Sequence, residues 1–255
     1  MGVSGHNLPR DQIAVVHKVL DIFECLSVGP HSAAELAERV GVAKPTVYRI
    51  LRTLRSRDFV TKEVGGGNYR CGSALLALDA AARGSTDLVS LARPLMAKLA
   101  AKFGETVNLA IPSNRQILYI EVIEGVHRLR THIPSGTRDH MHSTALGKAI
   151  LAAIPEEESR AVLSAVGRVG RTPATIVTVP AMLRELASVR ARGFAIDQEE
   201  NEVGTICVAA AFYGPDERPT GAISLSGPQL RLTGEIVEAM GNALIDACKA
   251  LGELL

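Results

Sequence analysis

Residues 41–60 read GVAKPTVYRILRTLRSRDFV, and this stretch decides the fold of the N-terminal part of the chain. Its apolar residues recur at the i, i+3, i+4, i+7 spacing of a helix that buries one face, namely Val47, Ile50, Leu51 and Leu54. Pro45 suits the first helical position, because its missing N–H would have no partner there. The stretch also holds five Lys or Arg residues against one acid, Asp58. The pattern predicts an amphipathic helix whose outward face is positively charged.

Two further helices are predicted upstream. Residues 13–26, IAVVHKVLDIFECL, predict an amphipathic first helix with Ile13, Val16, Leu20 and Phe23 on its apolar face. Ser32 and Glu35 form a capping box that begins a second helix, and Gly41 ends it. The inner face of this second helix is formed by Leu36, Ala37 and Val40. The second and third helices, joined by the tight turn GVA, are typical of a helix-turn-helix whose recognition helix enters the major groove of DNA.

A wing is predicted after the third helix. The segment DFVTKEVGGGNYRCG indicates two short strands around the glycine run 65–67, from which Lys62 and Arg70 would reach phosphates. Residues 41–72 carry seven Lys or Arg and two acids, about +5 in all, which is enough to release several counterions from DNA. A merely solvated helix face is the alternative, but the charge, the turn and the wing together favour DNA binding.

The predicted DNA-contacting residues have different roles. Arg49 lies in the first turns of the third helix, where an arginine can bind guanine through two hydrogen bonds. Arg52 and Arg55 are predicted to neutralise phosphates, and Lys44 adds its charge to the N–H groups of the helix N-terminus. The full predicted set is Lys44, Thr46, Tyr48, Arg49, Arg52, Arg55, Lys62 and Arg70.

The composition of the whole chain excludes some functions. The 28 Lys plus Arg residues nearly balance 27 Asp plus Glu, so a protein that coats nucleic acid or membrane by bulk charge is excluded. No segment has the roughly 18 uninterrupted apolar residues of a membrane span, and the polar start MGVSGHNLPRDQ lacks a signal-peptide core. The four cysteines show neither CxxC pairing nor zinc-finger spacing. We therefore expect a cytoplasmic protein with free thiols, no structural metal and no cofactor.

Beyond residue 72 the pattern predicts a linker helix and then a second domain. The Ala/Leu-rich segment SALLALDAAARG is the linker helix, and Ser85, Thr86 or Asp87 caps the next helix, LVSLARPLMAKLAAKFG. Strands are predicted at TVNLAIP, ILYIEVIEG, RLRTHIP, TICVAAAFYG and GAISLSG, and helices at TALGKAILAAI, at AMLRELASVRARG and from about Thr233. Hairpins among these strands indicate an α+β fold.

Six segments carry a resemblance to a known family. They are VVHKVLDIFECL, SAAELAERVGVAKPTVYRILRTL, YRCGSALLAL, HSTALGKAILA, RGFAIDQEENEVGTICVAAAFY and AISLSGP. In this order and spacing they resemble the isocitrate lyase regulator (IclR) family of bacterial transcription regulators. The resemblance implies a winged helix-turn-helix DNA-binding domain over residues 1–72, a linker helix over 73–86 and a GAF-like effector-binding domain with an antiparallel sheet over 87–255. One departure is Asp58, at a position before the wing where the family often has glycine.

Two serines are the first candidates for an effector site. In AISLSG, strand alternation sends Ser224 and Ser226 to one face and their apolar neighbours to the other, and two convergent hydroxyls suit a carboxylate. The alternative is that both serines are merely tolerated small residues. The resemblance adds positions at which backbone amides and side chains hold small organic acids in the family. The predicted effector-binding set is Ala145, Leu146, Asp197, Cys207, Ser224 and Ser226.

The segment GTRDHMH differs from the pattern that is usual in the family. Asp139 and His140 precede His142 where relatives often carry apolar or proline residues, which predicts a more polar ligand. The two histidines could also chelate a metal with Asp139, Asp197 or Cys207 nearby, although two histidines alone do not define a zinc site. An exposed or pH-sensitive loop is the other interpretation.

The resemblance implies a ligand-responsive repressor of a catabolic operon that senses a small organic or aromatic acid, with an activator left open. It would bind double-stranded operator DNA as a homodimer or a dimer of dimers, with the linker helix between subunits. One alternative is a DNA-binding regulator whose C-terminal domain contacts a protein instead of a metabolite. Another is an enzyme built on Cys207, His142 and Asp197. However, Cys207 lies in an apolar strand, no phosphate-binding loop surrounds Lys148 and no GxSxG occurs, so we expect no catalysis.

Overall fold

The computed structural model of this chain describes residues 13–63, 67–83, 88–165 and 167–255. The chain divides into two compact units, Met1–Ser85 and Thr86–Leu255. Some predicted features lie outside the described residues, namely the polar start of the chain, Gly65 and Gly66 of the wing, and the helix caps Ser85, Thr86 and Asp87. Within the described ranges, no helix is both long enough and apolar enough to cross a membrane.

The first unit contains the predicted helix-turn-helix and wing. Its elements in chain order are α1 Ala14–Val28, β1 His31–Ser32, α2 Ala33–Val40, α3 Lys44–Arg55, β2 Val60–Lys62, β3 Asn68–Cys71 and α4 Ser73–Arg83. The strands form an antiparallel sheet in the order β1-β3-β2, in which Thr61 pairs with Arg70 across the wing. The predicted helices and wing strands are confirmed, whereas the two-residue strand β1 is too short for the sequence pattern to predict.

Local hydrogen bonds fix the ends of α2. Ser32 Oγ accepts a hydrogen bond from the Glu35 N–H at 3.2 Å, and Glu35 Oε2 accepts one from the Ser32 N–H at 2.7 Å, so the capping box is confirmed. Gly41 ends the helix at a φ of 64°, which glycine adopts at little cost. Helix α3 begins at Lys44, so Pro45 takes the second helical position and the prediction is wrong by one residue.

Helix α1 is apolar on two faces, and most of the predicted face is the exposed one. Ile13, Val16 and Leu20 are 66%, 48% and 51% exposed, while Ile22 and Leu26 enter the core of the first unit. The prediction of the buried face is therefore wrong at these three positions. Helical spacing identifies an apolar face, but it does not decide which of two such faces meets the core.

The second unit contains an antiparallel sheet with helices on both sides. Its elements are α5 Leu88–Phe103, β4 Thr106–Ser113, β5 Gln116–Ile123, β6 Arg138–His140, α6 Ala145–Ala153, α7 Glu156–Ala165, α8 Val179–Arg192, β7 Ala195–Gln198, β8 Thr205–Tyr213, β9 Pro219–Pro228 and α9 Gly234–Gly252. The strand order is β6-β5-β4-β9-β8-β7. One core, with Met96 and Leu244, lies between the sheet and helices α5 and α9. A second core, with Ile150 and Leu186, lies on the side of α6 and α8, so the α+β fold is confirmed.

One predicted strand is wrong. The segment RLRTHIP, residues 128–134, alternates like a strand but has no ladder partner in the described part of the chain. Side chains hold it instead, because Thr131 Oγ1 donates to the Ser226 carbonyl at 3.2 Å and Arg130 forms an ion pair with Glu124. The edge strand on the β5 side of the sheet is β6, which follows this segment and pairs with β5. Helix α7 and strand β7 are further elements that the periodicity did not predict.

Candidate DNA-binding surface and effector cavity

Helix α3 turns its cationic face to solvent because its apolar face packs into the core of the first unit. Val47 and Leu51 are both 0% exposed in the core of the first unit. Thr46 is half-buried, and the other predicted DNA-contacting residues are all exposed, namely Lys44, Tyr48, Arg49, Arg52, Arg55, Lys62 and Arg70. The predicted residues therefore lie on the accessible surface of α3 and the wing.

The middle of α3 and the wing sheet form one continuous hollow. Tyr48, Arg49, Arg52 and Arg55 surround a depression of about 260 Å³ together with the buried Tyr69 of β3. The Lys62 ammonium lies 5.7 Å from the centroid of the Tyr69 ring. Three guanidinium groups at one hollow suit polyanion binding, because phosphates are bound by such groups in a forked geometry.

The second unit contains a cavity of about 690 Å³. Its walls include the end of α6, strands β5, β8 and β9, the irregular segment 128–134 and the turn 201–205. All six residues of the predicted effector-binding set line this cavity, namely Ala145, Leu146, Asp197, Cys207, Ser224 and Ser226. The structure thus brings together side chains from three distant parts of the sequence.

The two serines form one wall of the cavity, and their alternation in β9 is confirmed. Ser224 and Ser226 line the cavity, while Ile223 and Leu225 enter the opposite core. Asn108 of β4, which pairs with Ser224 in the sheet, donates its amide to both hydroxyls at 3.1 and 3.3 Å. Since each hydroxyl accepts from this amide, each can direct its own O–H toward a ligand.

Asp197 faces this wall from the neighbouring edge of the sheet. It is 2% exposed and accepts hydrogen bonds from the N–H groups of Glu200 at 2.7 Å and Asn201 at 3.2 Å. Burial raises the pKa of Asp197 to about 7, and the nearby Glu200 carboxylate acts in the same direction. Burial likewise raises the pKa of the Cys207 thiol, which lies opposite Asp197 in the sheet. A carboxyl group that holds a proton near neutral pH can donate a hydrogen bond to an anion.

The N-terminal end of α6 points into the cavity. Thr144 caps the helix by accepting a hydrogen bond from the Gly147 N–H at 3.1 Å, and Ala145 and Leu146 follow on the cavity wall. Only glycine fits at 147, because an added Cβ would lie 2.3 Å from the Met141 backbone. The free N–H groups of such a helix end favour an anion.

Lys148 behind this helix end does not belong to a phosphate-binding loop. Its side chain is fully buried and forms ion pairs with Glu200 and, at 3.6 Å, with Glu185. Glu200 lies three residues after Asp197, so the pair connects α6 to the turn that follows Asp197. Removing one member of a buried ion pair leaves an uncompensated charge, so the role of Lys148 is structural.

The two histidines do not converge on a metal. His142 points its Nε2 at the Val169 carbonyl, 3.1 Å away, and burial lowers its pKa. The His140 and His142 rings lie 5.4 Å apart, and the described residues contain no cluster of three or more metal-binding side chains. The enzyme alternative is also disfavoured. His142 faces the Val169 carbonyl instead of Cys207, and burial raises the pKa of the Cys207 thiol, which disfavours the reactive thiolate.

Several cavity residues were missed by the sequence prediction. Tyr119, Asn201 and Arg171 line the cavity, and Asn108 supports its serine wall. Asn108 could have been found, because it is a polar residue at an inward position of the apolar strand TVNLAIP. Arg171 lies between α7 and α8 in a segment without periodicity, and no signal in the sequence points to it.

A helix-turn-helix with an exposed cationic helix, in one chain with an α+β unit that holds a polar cavity, defines a two-domain transcription regulator. Comparison with known families agrees with this class. Residues 15–63 match the IclR helix-turn-helix domain, and residues 80–252 match the bacterial transcriptional regulator IclR C-terminal domain. The chain belongs to the IclR family.

Two relatives of this chain are named as repressors. The chain is 31% identical over 229 residues to the HTH-type transcriptional repressor AllR of Escherichia coli K12. The match covers 90% of this chain and 84% of that protein. It is 31% identical over 242 residues to the transcriptional repressor IclR of the same strain, and this match covers 93% of this chain and 88% of that protein. Because its family and relatives are transcription regulators, the chain is not an enzyme, as predicted.

A solved relative supports the fold. The crystal structure of an IclR homolog from Microbacterium hydrocarbonoxydans, complexed with 4-hydroxybenzoate, matches this chain with a TM-score of 0.80. The match covers 93% of this chain and 99% of that chain at 20% identity. At this identity the likeness establishes the shared fold.

Proposed function

We propose that this protein is a repressor that releases operator DNA when its C-terminal domain binds a small organic or aromatic acid. Residues 1–72 would bind DNA, residues 73–86 would link the domains, and residues 87–255 would bind the effector. The observation that carries the proposal is the cavity in which Ser224 and Ser226 face the N-terminal end of α6. Hydroxyls and helix N–H groups are donors suited to a carboxylate.

The DNA-binding half rests on charge and exposure. Arg49 would read base edges, and Arg52 and Arg55 would hold phosphates around the hollow beside Tyr69. Lys62 and Arg70 of the wing would add phosphate contacts. One recognition helix covers only a few base pairs, so specific binding would require at least a dimer on a pseudo-palindromic site. A regulator that acts on operator DNA would work in the bacterial cytoplasm.

The cavity favours a metabolite over a protein as the partner of the C-terminal domain. A domain that only contacts proteins needs no internal space, whereas about 690 Å³ lies within the usual range of small-molecule sites. The bound 4-hydroxybenzoate of the Microbacterium relative supports an acid as ligand. Typical coupling between two sites would change DNA affinity by roughly 5- to 150-fold on effector binding.

The DNA-binding half can be tested on duplexes selected by the full chain from a random-sequence pool. The variant Arg49→Ala/Arg52→Ala should bind the selected duplex at least 10-fold more weakly and with a smaller salt dependence. The matched control is Arg160→Ala, an exposed arginine of α7. Failure of the wild type to select any duplex would reject the regulator proposal.

The effector half can be tested by thermal shift with 4-hydroxybenzoate, benzoate, butyrate and succinate. At least one acid should raise the melting temperature of the wild type, and Ser224→Ala and Ser226→Ala should reduce the shift. The same acid should weaken binding to the selected duplex. No shift with any acid, or an equal shift in both variants, would reject the assignment of this cavity.

A further inference from the structure

We propose that Arg171 is a specificity-determining residue that makes the cavity prefer acids with a second anionic group. This inference rests on the proposed function, because it requires that the cavity holds a carboxylate at its serine wall. Arg171 belongs to the segment between α7 and α8, and its side chain lines the cavity. Its hydrogen bonds and its fixed backbone distinguish Arg171 from the other basic residues that line the cavity.

The backbone around Arg171 is held in place by hydrogen bonds of the Thr172 and Thr175 hydroxyls. Thr175 Oγ1 accepts from the N–H groups of Arg171 and Thr172 at 3.0 and 2.9 Å and donates to the Glu200 carbonyl at 2.6 Å. Thr172 Oγ1 donates to the Glu199 carbonyl at 2.6 Å. The segment is thereby fixed on the turn that follows Asp197, so the backbone from which the guanidinium extends is in place before any ligand arrives.

The guanidinium of Arg171 is only partly used. Its Nε donates to the Asn201 carbonyl at 3.2 Å. Its Nη1 lies 3.7 Å from Asp139 Oδ1, which is beyond hydrogen-bond distance. Within the described residues, no hydrogen bond occupies either terminal nitrogen. Their N–H groups form a fork of the kind that binds a carboxylate through two parallel hydrogen bonds.

Asp139 does not depend on Arg171 for its own hydrogen bonds. Its Oδ2 accepts from the Asn201 side-chain amide at 2.9 Å, and its Oδ1 accepts from the His140 N–H at 2.8 Å. Arg171 can therefore turn from Asp139 to an incoming anion without leaving the aspartate unpaired. Asp139 acts as the counterion of Arg171 while the cavity holds no second anion.

The other basic side chains on the cavity wall already have partners. Arg130 donates Nε to Glu124 at 2.8 Å, and His132 Nδ1 lies 2.8 Å from the other oxygen of Glu124. Among the described residues that line the cavity, Arg171 is thus the cation with uncommitted terminal donors. The volume of about 690 Å³ leaves room beyond a single carboxylate, so a second anionic group can reach it.

Isothermal titration of the full chain with matched acid pairs tests this proposal. The pairs are butyrate with succinate, and benzoate with terephthalate, at constant pH and ionic strength. In at least one pair the wild type should bind the diacid about 10-fold more tightly than the monoacid. Arg171→Met and Arg171→Gln should bring this ratio close to one while monoacid binding stays unchanged, and Arg171→Lys should retain part of the preference.

The controls separate this inference from the proposed function. Arg171→Gln keeps a donor for the Asn201 carbonyl, which guards against loss of the fold, and Arg160→Met should keep the wild-type ratio. Equal binding of both members of every pair by the wild type, or an unchanged preference in both neutral variants, would overturn the role of Arg171 alone. Failure of the wild type to bind any acid would overturn the proposed function and this inference together.

Discussion

Asp197 is the residue whose protonation connects the cavity to the stability of the fold. Burial raises its pKa from an ordinary 3.8 to about 7, and the Glu200 carboxylate adds to this effect. The buried Lys148 and the N–H groups of Glu200 and Asn201 lower the pKa but do not reverse the shift. Tyr119 and Cys207 also face Asp197, and burial raises the pKa of both.

The raised pKa predicts a pH-dependent contribution to stability. Between about pH 4 and 7 the folded chain binds one proton more than the unfolded chain at this site, so the contribution falls as pH rises and is lost above about pH 7. Asp197→Asn removes this dependence. We expect the melting temperature of the variant, relative to wild type, to rise steadily from pH 5 to 7 and then to level off.

Thermal unfolding in buffers from pH 5 to 8 checks this expectation. The matched control is Asp216→Asn, at an exposed position in the turn between β8 and β9, which should follow the wild-type profile. A constant difference between Asp197→Asn and wild type across this pH range would show that Asp197 keeps an ordinary pKa.

At the scale of the element, the entry to the wing contains a strained residue. Asp58 has a φ of 57°, a left-handed conformation that costs about 1–2 kcal/mol for a residue with a side chain, somewhat less for Asp. The conformation is fixed because the Asp58 carbonyl accepts from the Ala74 N–H at 3.0 Å. Gly72 permits this close approach, since a Cβ there would lie 2.1 Å from the Asp58 carbonyl oxygen. This geometry explains why glycine suits the position.

Substitution at Asp58 should therefore change stability with a predictable sign. Asp58→Gly relieves the strain and, after the entropy cost of glycine, should stabilise the first unit by about 0.5–1 kcal/mol. Asp58→Val should destabilise it by about 1–2 kcal/mol. Chemical denaturation followed by circular dichroism measures both changes.

The neighbouring exposed position supplies the control. Arg57 does not have a positive φ, so Arg57→Gly should be destabilising by about 0.5–1 kcal/mol, opposite in sign to Asp58→Gly. If the two glycine variants changed stability in the same direction, backbone strain at Asp58 would not be the cause.

At the scale of the whole molecule, the exposed apolar face of α1 predicts a subunit contact. Ile13, Val16 and Leu20 lie at helical spacing on the surface, and Leu76 and Leu78 of α4 are exposed as well. Contiguous exposed apolar residues are typical of subunit contacts. A second copy of the chain is the partner we expect, because one recognition helix is too small to specify an operator.

Introducing negative charges on this apolar face should separate the subunits. Val16→Glu/Leu20→Glu should shift the chain toward a monomer in sedimentation at micromolar concentration. It should also weaken binding to a selected duplex at least 10-fold. Val126→Glu, at a more exposed apolar position in the second unit, should leave both measurements unchanged. A wild type that remains monomeric in solution and on DNA would contradict the dimer.

The features that could be predicted from sequence are those that depend on near neighbours. The capping box of Ser32 and Glu35 and the two faces of α3 follow from residues three or four apart. The alternation of Ser224 and Ser226 follows from residues two apart. The segments that resemble the IclR family added the remaining predicted cavity residues, and all six line the same cavity.

Tertiary contacts decided the rest. Which face of α1 enters the core, and that residues 128–134 are not a strand, depend on packing partners distant in sequence. Arg171 reaches the cavity because the Thr175 hydroxyl donates a hydrogen bond to the carbonyl of Glu200, which lies 25 residues after Thr175 in the chain. The protonation of Asp197 likewise depends on burial by the whole domain. Sequence alone determined the local helices, strands and charges of this protein, because these depend on short-range backbone geometry. What surrounds each side chain follows from the tertiary structure, because burial and long-range hydrogen bonds exist only once the chain has folded.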